Sequence, residues 1–258
     1  MLRFSANLSM LFLEYDFLDR FEYAAKCGFR AVEFMFPYDY APEVLQEKLA
    51  RWELKHTLHN LPAGDWASGE RGIACIPGRE AEFRNGVAQA IEYANALGNK
   101  KINCLIGKVP QDASPEAVHQ TVVNNLRYAA GELEKQGLML LIEPINHFDI
   151  PGFFLTGTAQ GLALISEVGY GNVRLQYDIY HMQRMEGELT QTLINQLPKI
   201  GHIQIADNPG RGEPGTGEIN FDYLFNVIKA SDYDGWVGCE YKPVSTTENG
   251  ISWLTHVQ

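Results

Sequence analysis

The sequence predicts an α/β fold, a single (β/α)8 TIM barrel over residues 1–258, and three observations point to it. Eight short apolar runs rich in β-branched and aromatic residues recur along the chain, and segments of helical period alternate with them. At 258 residues the chain fits one such barrel and buries enough surface to need no staples. A doubly wound sheet is the competing arrangement, but Gly-x-Gly-x-x-Gly is absent after the first strand. No Pro/Gly/Ser linker or shift in composition divides the chain.

The first strand is expected over Phe4–Met10, followed by a helical pattern over Asp16–Cys27 that stops at Gly28. Ala31–Phe36 is the second strand and Pro42–Trp52 its helix. Leu54–Asn60 is the third; a long connection, Leu61–Gly78, precedes the helix Arg79–Leu97 and its terminating Gly98. That connection mixes glycine with Trp66, Arg71 and Ile76, which suits a lid over a ligand. Lys101–Gly107 and Ser114–Lys135 form the fourth pair, closed by Gln136-Gly137. The fifth strand, Leu138–Pro144, leads into a second long connection, Ile145–Gly157, and the helix Thr158–Val168. Val173–Tyr180, Glu188–Gln196, Gly201–Asp207, Asp222–Ala230 and Gly235–Tyr241 complete the alternation. The segment NPGRGEPGTGEIN lacks the Gly-Lys-Ser/Thr ending of a phosphate-binding loop and reads as a rigid turn.

Composition narrows the function. With 32 acidic and 21 basic residues the net charge is -11, and no Lys/Arg-rich run is present, which argues against nucleic acid as a partner. A small anionic substrate is compatible, because one basic side chain inside a pocket overrides a distant field. Cys27, Cys75, Cys104 and Cys239 lack C-x-x-C spacing and read as reduced thiols. The first residues carry no apolar segment long enough for a signal peptide or membrane span, so the expectation is a cytoplasmic protein with no membrane partner.

In such a barrel the active site forms where the strands end. The fifth strand ends in LLIEP, with Glu143 at its tip; the sixth offers Asp178 and His181; the seventh Gln204 and Asp207; the eighth Glu240 and Lys242. Side chains alternate across a strand. If Ile142, Ile203, Ile205, Val237 and Cys239 face the helices, then Glu143, His202, Gln204 and Glu240 face inward. Three carboxylates and an amide oxygen form a hard donor set suited to Mg2+ or Mn2+, and the cation offsets their mutual repulsion. His59, ending the third strand, and His181 are candidate substrate donors. Arg174 and Gln176 share the parity of Asp178, which suggests a polar layer beneath the mouth. Arg71, Lys108, Arg211 and Lys242 are candidates for a substrate carboxylate, with Arg71 and Arg211 preferred because long loops close over ligands.

The stretches FSANLSMLF, AVEFMFPYDY, HNLPAGDW, ERGIACIPGRE, IEPINHFDIPGFFLTGT, QYDIYHMQRMEGEL, HIQIADNPGRGEPGTGEIN and GWVGCEYKP span nearly the whole chain. On them the sequence resembles the bacterial hydroxypyruvate isomerase family, within the xylose-isomerase-like barrels. The resemblance implies interconversion of hydroxypyruvate and 2-hydroxy-3-oxopropanoate (tartronate semialdehyde). It also implies Glu143 and Glu240 as the acid/base pair, and Glu143, Asp178, Gln204 and Glu240 as metal ligands. His181 and Arg211 resemble substrate contacts of related keto-sugar epimerases. Two departures stand out: those epimerases usually carry histidine where Gln204 stands, and family relatives often carry it where Gly212 stands. Relatives are commonly oligomeric, so a homo-oligomer is an expectation too. Three alternatives stay open: an isomerase of a related acid such as 2-oxo-tetronate or a keto-sugar epimerase, a DNA-repair nuclease, and a sugar-acid binding protein without turnover.

Overall fold

The structure, a computed structural model, describes residues 1–257. Gln258, the last residue of the expected domain, lies outside the described residues. Nine strand segments are seen: β1 (Arg3–Asn7), β2 (Ala31–Glu33), β3 (Lys55–His56), β4 (His59–Asn60), β5 (Lys101–Cys104), β6 (Met139–Ile142), β7 (Val173–Asp178), β8 (Ile200–Ile205) and β9 (Trp236–Cys239). All pair in parallel, in the order β3-β2-β1-β9-β8-β7-β6-β5-β4. The two ends of that order, β3 and β4, are consecutive pieces of the third predicted strand. Thr57 N–H donates to Val32, Asn60 N–H to Met35 at 2.8 Å, and Leu61 N–H to Asn103 at 2.8 Å. One extended stretch therefore pairs with β2 through its first half and with β5 through its second, and the sheet closes into an eight-position barrel.

The helices α1 (Arg20–Lys26), α2 (Pro42–Arg51), α3 (Glu80–Leu97), α4 (Pro115–Lys135), α5 (Thr158–Val168), α6 (Ile179–Met185), α7 (Leu189–Gln196), α8 (Phe221–Ala230) and α9 (Thr247–Gly250) follow in chain order. Gly28, Gly98 and Gly137 take positive φ (91°, 74° and 64°), which only glycine adopts without strain, and end α1, α3 and α4 as expected. Ser114 caps α4 by accepting from Ala117 N–H at 3.2 Å, with Pro115 supplying the fixed φ of a first turn. Between sheet and helices lies the apolar core. Ile102, Leu140, Ile142, Val173, Leu175, Ile203, Ile205 and Val237 meet Val87, Ala90, Val122, Leu126 and Leu133, all fully buried. At about 25 cal/mol per Å2 of apolar surface removed from water, this layer is the main stabilising term.

The barrel interior differs from the usual packing of branched aliphatics. Ser5, Asn7, Glu33, Asn103, Gln176, His202 and Gln204 are all buried. This is the polar layer expected beneath the mouth, and it holds Gln176. Arg174 does not join the upper part of it; its guanidinium bonds to the carbonyls of Gly171 and Val173 instead.

Besides the split third strand, two strands end earlier than expected, one at a turn and one at a helix cap. The first strand stops at Asn7 because Met10 and Leu11 N–H both turn back onto its carbonyl. The sixth predicted strand stops at Asp178, which N-caps α6 by accepting from Tyr180 N–H at 2.8 Å. Both long connections leave the C-terminal ends of their strands. The first is packed rather than loose. A Cβ on Gly72 would lie 2.1 Å from the Leu105 carbonyl oxygen and one on Gly107 would lie 2.3 Å from that of Gly72, so two backbones touch where side chains have no room. Cys75, Cys104 and Cys239 are buried and Cys27 half-buried, all as free thiols. No helix among the described residues is long and apolar enough to cross a membrane.

Candidate active site

The C-terminal mouth is built from the last residue of each strand or the one just beyond it. Glu143 follows β6 and its Oε2 accepts from Asn103 Nδ2 and Gln176 Nε2, each at 2.9 Å. Asp178 ends β7, fully buried, with Oδ2 3.5 Å from Arg211 Nη2. Glu240 follows β9; its Oε1 accepts from Asn7 Nδ2 at 3.1 Å and its Oε2 from Arg211 Nη2 at 2.7 Å. One guanidinium thus bridges Asp178 and Glu240 while lying over the Tyr180 ring, 5.1 Å from its centroid. Burial, followed by the charges of Glu240 and Asp178, pushes the Glu143 carboxyl well above the usual range. Burial chiefly raises Asp178, and raises Glu240 to about 8.

His181 sits on the first turn of α6. Its Nε2 lies 3.6 Å from Asp178 and 3.9 Å from Glu143. Its protonation is set from behind. Asn146 Oδ1 accepts from Asp149 N–H, which turns the Asn146 amide nitrogen onto His181 Nδ1 at 2.6 Å. Nδ1 is therefore the acceptor and the proton sits on Nε2, facing the mouth. Burial, then Arg211 and Arg184, lowers the imidazole well below its ordinary value and keeps it neutral.

Glu143, Asp178 and His181 offer three ligand atoms within 4.8 Å of one another. Because the His181 proton is on Nε2, this nitrogen suits a hydrogen-bond donor better than a metal ligand. The carboxylates fit a divalent cation: three of them against one guanidinium leave two negative charges in a buried site if all are ionised.

The expected residues divide clearly. Glu143, Asp178, His181, Arg211 and Glu240 come together. Gln204 is the register partner of Asp178 on the neighbouring strand, its Oε1 accepting from Gln176 at 2.7 Å and its Nε2 donating to Glu33 at 2.8 Å. The amide oxygen expected to ligate a metal accepts one hydrogen bond there and keeps a second lone pair. His59 is corrected as a substrate donor: its ring faces α3, with Nε2 3.1 Å from the Ala90 carbonyl, because the strand break puts Asn60 rather than His59 on the inner side. Arg71 is held over the Trp66 ring at 4.0 Å and donates to the carbonyls of Trp66 and Glu70. The Lys242 side chain is exposed on the rim beside Met10 and Glu14. Among the described residues neither cation bonds to the mouth carboxylates.

Sequence reasoning missed Asn7, Glu33, Asn103 and Asn146. The strand-end rule that found Glu143 also finds Asn7 at the end of β1 and Glu33 at the end of β2, had the first strands been read like the last. Asn146 carried no such signal, since its role depends on a contact across 35 positions.

The glycine-rich segment between β8 and α8 is the rigid turn expected. Backbone N–H groups of Asn208, Gly215, Gly217 and Ile219 all donate to the Asp207 carboxylate at 2.9–3.1 Å, so an internal anion fills the position a phosphate would take. Arg211, at the crown of this turn, has a left-handed backbone (φ 57°).

A family model described as xylose isomerase-like TIM barrel matches residues 21–257. The chain is 72% identical over 254 residues to hydroxypyruvate isomerase of Escherichia coli K12, covering 98% of both. It is 48% identical to 2-oxo-tetronate isomerase of Cupriavidus necator, over 98% of this chain and 97% of that one. A solved structure described as an AP endonuclease, family 2, from Brucella melitensis has a TM-score of 0.97 at 43% identity, covering the whole of each chain. These likenesses run almost from end to end, and they agree with the closed parallel barrel: the chain belongs to the xylose isomerase-like TIM barrel family.

Proposed function

We propose that this chain is an isomerase that interconverts hydroxypyruvate and 2-hydroxy-3-oxopropanoate, with Glu143 and Glu240 moving the protons. The observation that carries the reading is the pair of buried glutamates flanking Asp178 and Arg211 in the mouth. The 72% identity to the E. coli hydroxypyruvate isomerase supports the substrate.

The reaction breaks one C–H bond on the hydroxymethyl carbon and forms one on the adjacent carbonyl carbon. Loss of the carbon-bound proton leaves the negative charge on the enediolate formed midway, and the hydroxyl proton passes between its two oxygens. One glutamate takes the carbon-bound proton and the other returns one. Arg211 supplies a cation beside the developing charge, and His181 Nε2–H is a donor for a substrate oxygen. Glu143, Asp178, Glu240 and the amide oxygen of Gln204 would hold a divalent cation, Mg2+ or Mn2+, which would supply Lewis-acid stabilisation of the oxyanion. Burial of the mouth excludes the water that would otherwise screen these interactions.

Purified protein given hydroxypyruvate in D2O is expected to form 2-hydroxy-3-oxopropanoate, followed by NMR, faster than it converts four-carbon 2-keto acids or free ketoses. Preference for the four-carbon acid would move the assignment to the activity named for the Cupriavidus relative. Glu143→Gln and Glu240→Gln should each lower kcat at least ~100-fold with the fold intact, because proton transfer by a positioned side chain contributes that much. Wild-type turnover in either variant would remove these residues from the chemistry.

A further inference from the structure

Beneath the mouth, Glu33 is fully buried in the barrel interior, and nothing in the proton-transfer scheme uses it. Its Oε1 accepts from Gln204 Nε2 at 2.8 Å and from Asn7 Nδ2 at 3.3 Å. Its Oε2 lies 2.9 Å from His202 Nε2 and 3.5 Å from Thr57 Oγ1. A Cβ on Gly238 would fall 2.4 Å from Oε1, so β9 has a glycine where the carboxylate lies against it.

From Glu33 two lines of amide groups lead to the two glutamates of the mouth. On one side Asn7 Nδ2 reaches both Glu33 and Glu240. On the other, Gln204 Nε2 donates to Glu33, Gln204 Oε1 accepts from Gln176 Nε2, and the same nitrogen donates to Glu143. The polarity of this second line is forced. A carboxylate accepts only, so the Gln204 amide must turn its nitrogen toward Glu33 and its oxygen toward Gln176. Gln176 must then present its nitrogen upward, to Glu143. Glu143 favours the same polarity from its own end, so a group that donates in place of the central anion would set the two ends of the line against each other.

We propose that Glu33 is a positioning residue for the isomerisation. Its carboxylate orients Gln204, Gln176 and Asn7 so that amide N–H groups hold Glu143 and Glu240 in register across the mouth. This inference rests on the isomerase reading above. Buried partners that orient groups at such sites typically alter activity ~10–100-fold when removed.

The test is a double-mutant cycle on the intact protein with hydroxypyruvate as substrate, reading kcat, KM and the thermal midpoint separately. Glu33→Gln is expected to lower kcat ~30-fold or more, with KM within ~3-fold, and Glu33→Asp to recover part of the loss because it keeps the anion. Gln176→Met cuts the same line nearer Glu143 without touching Glu33 and should lower kcat ~10-fold. If Glu33 acts through Gln176, the double variant is no slower than Glu33→Gln alone. A Glu33→Gln enzyme with kcat within ~2-fold of wild type, or losses that simply multiply in the double variant, would overturn the proposal. Should Glu33→Gln fail to fold, Gln176→Met decides: kcat within ~2-fold of wild type sinks the same line. An inactive wild-type protein would instead refute the isomerase reading, so the two failures are distinguishable.

Discussion

At the scale of single residues, the four buried histidines among the described residues have three different fates. His181 is neutral with its proton aimed into the mouth. His202 stands against Glu33. His56 and His59 lie between barrel and helices, their rings stacked 5.3 Å apart, away from any substrate path. Burial lowers His59 from its ordinary 6.5 to about 4. Above pH 6.5 the residue is neutral in both folded and unfolded chains and contributes nothing to pH dependence. Between pH 6.5 and 4 the unfolded chain takes up a proton that the folded chain refuses, so stability falls as pH falls. For His59 alone the loss from pH 7 to pH 5 is about 2 kcal/mol. Urea unfolding at the two pH values should show a pH-dependent loss that is smaller by about that amount in His59→Gln than in the wild type. Equal slopes would mean that another group carries the acid sensitivity. No rule of sequence position foretold this role; the break at Thr57–Leu58 decides which way His59 points.

At the scale of elements, the legible parts were those fixed by local chemistry. Periodicity located the strand positions and most helices, glycine marked three helix ends, and strand-end alternation found Glu143, Asp178 and Glu240. What escaped was set by tertiary pairing: the split of the third strand, the immediate start of α6 after Asp178, and the bonds of the Gln204 amide to Gln176 and Glu33. The turn after β8 was recognised as rigid, but its organising residue was not. Asp207 accepts four backbone N–H groups, and the Asp207 N–H itself donates to Gly212 at 2.8 Å, closing the turn that carries Arg211. Asp207→Asn keeps the shape but turns an NH2 toward two of those donors. The expected cost is about 3 kcal/mol, since buried donors facing a donor lose both the bond and their hydration. Because the same turn holds Arg211 against Asp178 and Glu240, kcat/KM should fall along with the thermal midpoint. An unchanged midpoint would show that the turn is held by other contacts.

For the whole molecule, the apolar layer outside the barrel carries the stability and the polar interior carries the site. That division creates an electrostatic cost at the mouth, where Glu143, Asp178 and Glu240 converge on Arg211 alone. A divalent cation there should bind the folded chain and not the unfolded one, and so raise the unfolding temperature by mass action. At 100 times its Kd the gain is about 2.7 kcal/mol. For a chain of this size that corresponds to a rise of roughly 5–10 °C. The comparison is chelator-treated protein against the same protein with Mn2+ or Mg2+, read by calorimetry without any substrate. Asp178→Asn should abolish most of the metal-dependent rise, while the chelator-treated variant unfolds no earlier than the wild type, because one repelling charge is gone. A wild-type midpoint indifferent to millimolar Mn2+ and Mg2+ would show that Arg211 alone balances the mouth.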